Sequence, residues 1–398
     1  MVGAGVFAAF APAAAAAGGW LLVALAIAAV VAYCNATSSA RLAALYPESG
    51  GTYVYGRRRL GDFWGYLAGW GFVVGKTASC AAMALTFGAY VVPAHARPLA
   101  VGAVVALTAL NLLGVHKSAL ATRVIVGFSL AVLAAVAGAA LLGGQVDGGG
   151  FGGGPAGSVW GVLQAAGLLF FAFAGYARIA TLGEEVKNPA RTIPRAIPIA
   201  LTITLVVYAA VAVATLSALG PAGLASSSAP LADAVTAAGA GWLTPVVRVG
   251  AAAAALGALL ALVLGVSRTV LAMARDRHLP ALLDVVHPVR QVPHRAELVV
   301  GAAVVVLVLV ADLRGAIGFS SFGVLVYYAI ANASARTLRR DEGAPPRAVP
   351  LLGLTGCLVL AATLPTESVL SGLAMLAVGA LLWLVNARRR PRRTTAPR

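Results

Sequence analysis

Twelve long apolar stretches leave this chain one kind of architecture. They run at about 3–18, 20–45, 62–91, 98–114, 119–142, 158–183, 194–219, 242–272, 296–312, 315–335, 349–364 and 368–387. Nearly all reach the length at which a helix crosses a hydrocarbon core of about 30 Å. Inside lipid every backbone N–H and C=O needs a protein partner, so only helices and closed barrels span it. A barrel would alternate polar and apolar residues in segments of about 10, whereas these stretches are continuous and rich in Ala, Val and Leu. The expected fold is an all-α membrane protein of about twelve transmembrane helices. With 60% hydrophobic and 11% charged residues, the chain is also far from the roughly 25% charged composition of a soluble domain.

The net charge of +16 would suit a nucleic-acid partner, but its distribution points elsewhere. If the N-terminus faces the cytoplasm, alternate connections should collect Lys and Arg. They do: 24 of the 29 basic residues fall on that side and only Arg97, Arg248 and Arg314 on the other. The charge is therefore read as topology, with no nucleic acid involved. It implies a multi-pass protein of the cytoplasmic membrane with both termini inside. The basic stretch 388–398 reads as a cytoplasmic tail, and membrane lipid is an expected partner.

Cys34, Cys80 and Cys357 lie in three different stretches without metal-ligand spacing, so they read as packing residues and no metal or cofactor is expected. The five histidines (His95, His116, His278, His287 and His294) all lie in or beside connections, and neither H-E-x-x-H nor G-x-S-x-G occurs. An intramembrane enzyme is not expected.

Two stretches, the first and the sixth, carry glycine where a spanning helix should continue. The first opens with Gly3-Ala4-Gly5; the sixth holds Gly175 in "LLFFAFAGYARIATLGEEVKNPARTIPRAI", residues 168–197. In transporters built from two inverted five-helix repeats those positions correspond. Unwinding there frees N–H groups for a carboxylate and C=O groups for an ammonium, the two charges of an amino acid.

At these residues the sequence resembles the amino acid–polyamine–organocation transporters of the amino acid permease type. "GAGVF" is similar to that family's first-helix break. "YPESGGTYVYGRRRLGDFWGYLAGW" (46–70) resembles its second-to-third helix loop, and "SRTVLAMARDRHLPALLDVVHP" (267–288) its eighth-helix exit. The resemblance implies one transporter domain: a first repeat at 1–142, a second at 158–335 and two extra helices at 349–387. It implies alternating access around a midplane pocket. Val2, Gly3, Ala4, Gly5 and Val6 would then offer amides to the substrate carboxylate. Phe171, Ala172 and Phe173 would offer carbonyls to its ammonium, beside the Gly175 break, with Phe173 and Tyr176 as shaping aromatics. Arg57, Arg58 and Arg59 would latch the inside face against Glu184 and Glu185. The family has a half-helix before its first break, whereas only Met1 and Val2 precede it here, so helix one is expected to be truncated at its N-terminus.

The chain also departs from the family. None of its 13 acidic residues lies deep in a stretch, which disfavours a cationic substrate. Two cations, Lys76 and Arg178, do lie inside stretches, where charge is costly and a functional role is the default reading. Where some relatives carry a coupling lysine on the fifth helix, this chain has Ser129. Lys76 is the expected proton-coupling group and Arg178 a fixed counter-charge, while Ser129 with Ser267 would serve if the coupling ion were Na⁺. The expected function is secondary active transport of a neutral amino acid with protons, by a monomer or homodimer. An exchanger, an inactive permease paralogue and, from a different class, a channel or membrane sensor remain as alternatives.

Overall fold

A computed structural model of the chain describes residues 2–48, 50–114, 119–143, 158–176 and 188–389. Regular structure among these residues is entirely helical. The first apolar stretch forms α1 (Gly5–Ala8) and α2 (Phe10–Ala17), and the second forms α3 (Leu21–Leu45). The short α4 (Thr52–Arg59) precedes the 30-residue α5 (Asp62–Val91). Next come α6 (Ala96–Leu112), α7 (Ala119–Leu142) and α8 (Val159–Phe173). They are followed by α9 (Pro189–Ser226), the short α10 (Pro230–Ala237) and α11 (Thr244–Arg275). The chain continues through α12 (His294–Val310), α13 (Leu313–Ala335), α14 (Ala348–Thr363) and α15 (Thr366–Arg389).

Helix therefore occupies each apolar stretch. Eight segments among the described residues are long and apolar enough to cross a membrane, while α8 and α14 are apolar but shorter. In the first stretch Pro12 has no N–H to give the carbonyl of Ala8, so one helical bond is missing between α1 and α2, while Ala9 keeps helical dihedrals and its amide bonds the carbonyl of Gly5 at 2.9 Å. Further along, α9 turns sharply at Gly220, whose φ of 63° suits glycine.

The centre of the bundle is the pair α5 and α13, whose apolar windows are 72% and 83% buried, against 22% for α15. Lipid tails supply no hydrophobic drive between spans, so close backbone approach must hold them together. A Cβ placed on Gly75 would sit 3.2 Å from the Cα of Gly323, and one on Gly323 would sit 2.9 Å from the carbonyl oxygen of Gly71. Side-chain polar groups add a second fastening. Asn332 of α13 donates to Asn35 Oδ1 of α3 at 2.6 Å, Ser38 donates to Asn332 Oδ1 at 2.7 Å, and the Cys357 thiol of α14 reaches Asn35 Oδ1 at 3.3 Å. All three cysteines are free and buried.

Gly323→Leu is expected to force α5 and α13 apart at a cost of about 1–3 kcal/mol or more. It should lower the thermal unfolding midpoint of the purified protein. Gly102→Ala in α6, where an added Cβ meets nothing within 4 Å, should leave the midpoint unchanged or raise it, by up to about 1 kcal/mol.

Candidate functional site

The two interrupted helices meet. At Gly5 an added Cβ would lie 2.6 Å from the Cα of Ala172, an approach only glycine permits. On the other side, α8 ends at Phe173 and passes into a single 3-10 turn, Ala174–Tyr176. The α-helix thus ends at Phe173, two residues before Gly175, and the residues that follow Tyr176 lie outside the described ones.

A helix that stops inside a bundle leaves carbonyls without partners, and here long side chains from neighbouring spans reach them. Tyr208 of α9 donates to the carbonyl of Ala172 at 2.9 Å. Lys76 Nζ of α5 donates to the carbonyl of Ala174 at 3.4 Å, and Lys76 is only 6% exposed. In the first stretch Tyr90 of α5 donates to the carbonyl of Phe7 at 2.9 Å while accepting from the amide of Leu231 at 3.3 Å. Rings close around these bonds: Phe7 meets Tyr90 edge-on at 5.8 Å, and Phe173 meets Tyr208 at 5.2 Å. Val6, Phe7 and Phe173 are fully buried. One turn from Lys76, Ser79 and Ser320 share a hydrogen bond of 2.5 Å across the α5–α13 seam.

The sequence-predicted residues divide as follows. Gly5, Ala172 and Phe173 gather at the junction with Val6. Ala4 is buried at the N-terminus of α1, and Gly3 faces Ala258 of α11. Val2 is partly buried beside the main core. Phe171 is buried in α8, and Gly175 is exposed. The Tyr176 side chain, Arg178, Glu184 and Glu185 lie outside the described residues. Lys76 joins the junction from a different helix, which gives the intramembrane cation a defined partner. Ser129 and Ser267 are not brought together. Both hydroxyls bond their own helices, to the carbonyls of Ile125 and Val263 respectively. Helix α7 meets α11 where Val132 faces Gly250 and Ile125 faces Gly257. Ser129 therefore stands near residue 254, about 20 Å along α11 from Ser267 at ~1.5 Å per residue.

Among the described residues, the three consecutive arginines engage four carboxylates. Arg57 pairs with Asp62 at 3.1 Å and with Asp276, Arg58 with Glu48 at 3.1 Å, and Arg59 with Glu342 at 2.5 Å. Around Arg57, α4 and the exit of α11 interlock, with Tyr53 and Asp276 223 residues apart. Tyr53 donates to Asp276 at 2.5 Å and lies 2.8 Å from His278 Nδ1, whose Nε2 is 3.1 Å from Asp62. Tyr53 has one proton and gives it to Asp276. His278 then has Nδ1 placed to donate to Tyr53 while its Nε2 faces the Asp62 carboxyl. Burial and the bond to Asp276 push the Tyr53 hydroxyl well above its ordinary range. The Arg59 bond, helped by the amide of Arg339, holds the Glu342 carboxyl below its ordinary range.

His278 escaped the sequence reading because a histidine in a connection gives no sign of burial, yet it is 2% exposed. A cavity of about 970 Å³ opens beside it, lined by Tyr66, Trp70, Arg277, His278, Asp284 and Asn386 among others. The hollow thus lies at the arginine-rich end.

Comparison with known proteins gives a consistent answer. The profile of the family described as amino acid permease matches residues 1–389. An uncharacterised transporter of Mycobacterium tuberculosis is 69% identical over 379 residues, 95% of this chain and 86% of the relative. A branched-chain amino acid permease of Bacillus subtilis is 25% identical, covering 98% of this chain and 90% of its own. A human cationic amino acid transporter is 28% identical over 83% of this chain and 56% of its own.

Two outcomes are expected at the arginine-rich end. Tyr53→Phe removes the proton that links Asp276 to the cluster and should destabilise the protein by about 1–3 kcal/mol, read as a fall in unfolding midpoint. The Glu342 carboxyl is held below its ordinary range, so the Arg59–Glu342 tie contributes fully above the ordinary carboxylate pKa and is lost as pH falls through the lowered value. Stability measured down an acid titration should drop in that window, and Glu342→Gln should remove that part of the drop.

Proposed function

The chain belongs to the amino acid permease family, and on that premise we propose that it carries neutral amino acids across the cytoplasmic membrane with protons, by alternating access. The reading takes 1–142 and 158–335 as two inverted five-helix repeats, with α14 and α15 added. What carries it is one hydrogen bond, from Lys76 Nζ to the carbonyl of Ala174 at the end of the broken α8. A helix end that already holds an ammonium is a helix end shaped for one. The substrate ammonium and the lysine compete for the same carbonyls, so substrate entry and the lysine's proton are linked at one place. Lysine can release its proton, whereas an arginine there would stay charged.

The same ammonium favours a neutral substrate. A second positive charge about 5 Å away would be repelled by about 3 kcal/mol at an effective dielectric of about 20. None of the described carboxylates hydrogen-bonds or pairs with Lys76 to offset this. A cationic side chain therefore meets a penalty of roughly a hundredfold in affinity, although some relatives are named as cationic amino acid transporters. The branched-chain permease among the relatives makes leucine the first substrate to try. The separation of Ser129 and Ser267 speaks for protons over sodium. At the arginine-rich end, taken as the cytoplasmic side, the Tyr53–His278–Asp62–Asp276–Arg57 cluster would serve as the inside latch.

Proteoliposomes with an inward proton gradient test the proposal. The unmodified protein should accumulate leucine above the equilibrium level. Lys76→Ala should exchange leucine across the membrane without a gradient yet fail to accumulate it. Lys76→Arg should fail likewise, because its charge is fixed. Gradient-driven accumulation by Lys76→Ala at the unmodified level would end the proton role of Lys76.

A further inference from the structure

Glu297 is a carboxylate enclosed by its own protein. Its position beside a connection suggested a solvated side chain, yet it lies in the first turn of α12 and is 0% exposed. Neither carboxylate oxygen has a hydrogen-bond partner. The enclosure is by protein atoms, since α12 packs against α5, α6, α11 and the turn Ala281–Leu283. Its apolar neighbours Ala296 and Val300 belong to a cluster with Cys80, Val104, Val266 and Val270.

Two more polar atoms on the same face of α12 are also buried without a partner. One is Nδ1 of His294, one turn before Glu297. The other is Oγ1 of Thr108 on α6, which an added Cβ on Gly301, one turn after Glu297, would meet at 2.7 Å. Residues three and four apart on a helix share a face, so about two turns of α12, with Thr108 of α6 opposite, bring these groups into one row. Buried polar groups are nearly always satisfied, and a carboxylate beside groups with free lone pairs is satisfied by a proton or a cation.

The charged and titratable groups around the row are accounted for. Arg268 of α11 lies within electrostatic range without bonding either carboxylate oxygen. On α5, Lys76 is bonded to Ala174 and Cys80 lies in the apolar cluster. The ionisable residue of α6, Arg97, is at the far end of that helix. Asp284, after the Ala281–Leu283 turn, is paired with Arg275 at 3.2 Å. On α12 itself Arg295 bonds the carbonyl of Leu282 at 3.2 Å, and the ring of His294 meets His287 edge-on at 5.7 Å.

We propose that Glu297 is the centre of a monovalent cation site, binding a proton or a sodium ion between its carboxylate and Thr108 Oγ1, with His294 lining the approach from the arginine-rich end. The site is separate from the Lys76 junction and does not rest on the role given to Lys76. A proton and Na⁺ are both matched by one carboxylate with hydroxyl support, since either neutralises the charge without a full set of ligands.

Labelling by dicyclohexylcarbodiimide, which attacks protonated carboxyl groups in apolar surroundings, tests this on the unmodified full-length protein in detergent. Peptide mass spectrometry should find the label on Glu297. Its rate should fall about tenfold per pH unit once the acid titrates. If sodium is the ligand, NaCl should slow labelling at constant pH where choline chloride does not; if the ligand is a proton alone, the two salts should act alike while the pH dependence remains. Glu297 unlabelled throughout, or labelled at a rate indifferent to both pH and sodium, overturns the proposal. As a second reading, the unfolding midpoint should depend on pH or sodium in the unmodified protein, and Glu297→Gln should lose that dependence. Thr108→Val should lose a sodium dependence but keep a proton dependence. A midpoint of Glu297→Gln that follows pH and sodium as before counts against the site, and if this variant does not fold the labelling result stands alone.

Discussion

A helix that breaks inside a bundle must give its freed carbonyls to something other than water, and most of this structure's centre is the answer to that demand. Each unsatisfied backbone group would cost a few kcal/mol in apolar surroundings. The carbonyls of Ala172 and Ala174 are met by Tyr208 and Lys76, and that of Phe7 by Tyr90, long side chains from neighbouring helices. Two of these donors come from α5, which explains why that span is so enclosed and why its glycines seat it against α13. The break, the buried cation and the glycine seam are one arrangement seen from three sides.

Apolar length was enough to find the described helices, because it is a local property that lipid enforces on each stretch separately. The junction was legible only in part. Glycine at Gly5 marks the close approach to Ala172. The serines at 129 and 267 looked equivalent as hydroxyls in spans, yet helix packing sets them far apart.

The arginine-rich end was the least legible. Arg57, Arg58 and Arg59 announce ion pairs; Glu184 and Glu185, the partners expected from the resemblance, lie outside the described residues, and among the described carboxylates sequence order favours none. Asp276 lies more than two hundred residues away, and only the packing of α11 beside α5 chooses it. Glu297 and His278 show the same difficulty from the opposite direction. Each stands beside a connection, where solvation is the ordinary expectation, and each is enclosed by helices that arrive from elsewhere in the chain. Distance from a loop is a property of sequence; enclosure is a property of neighbours.

The three cysteines carry a practical consequence. Cys34, Cys80 and Cys357 sit on different helices, all free and all enclosed. The natural chain therefore offers water-soluble thiol reagents almost nothing to attack while it is folded. A single cysteine introduced at the arginine-rich end would report its own accessibility against a dark background, without first removing the native thiols. Sudden reactivity of Cys80 would signal that the seam around α5 had opened.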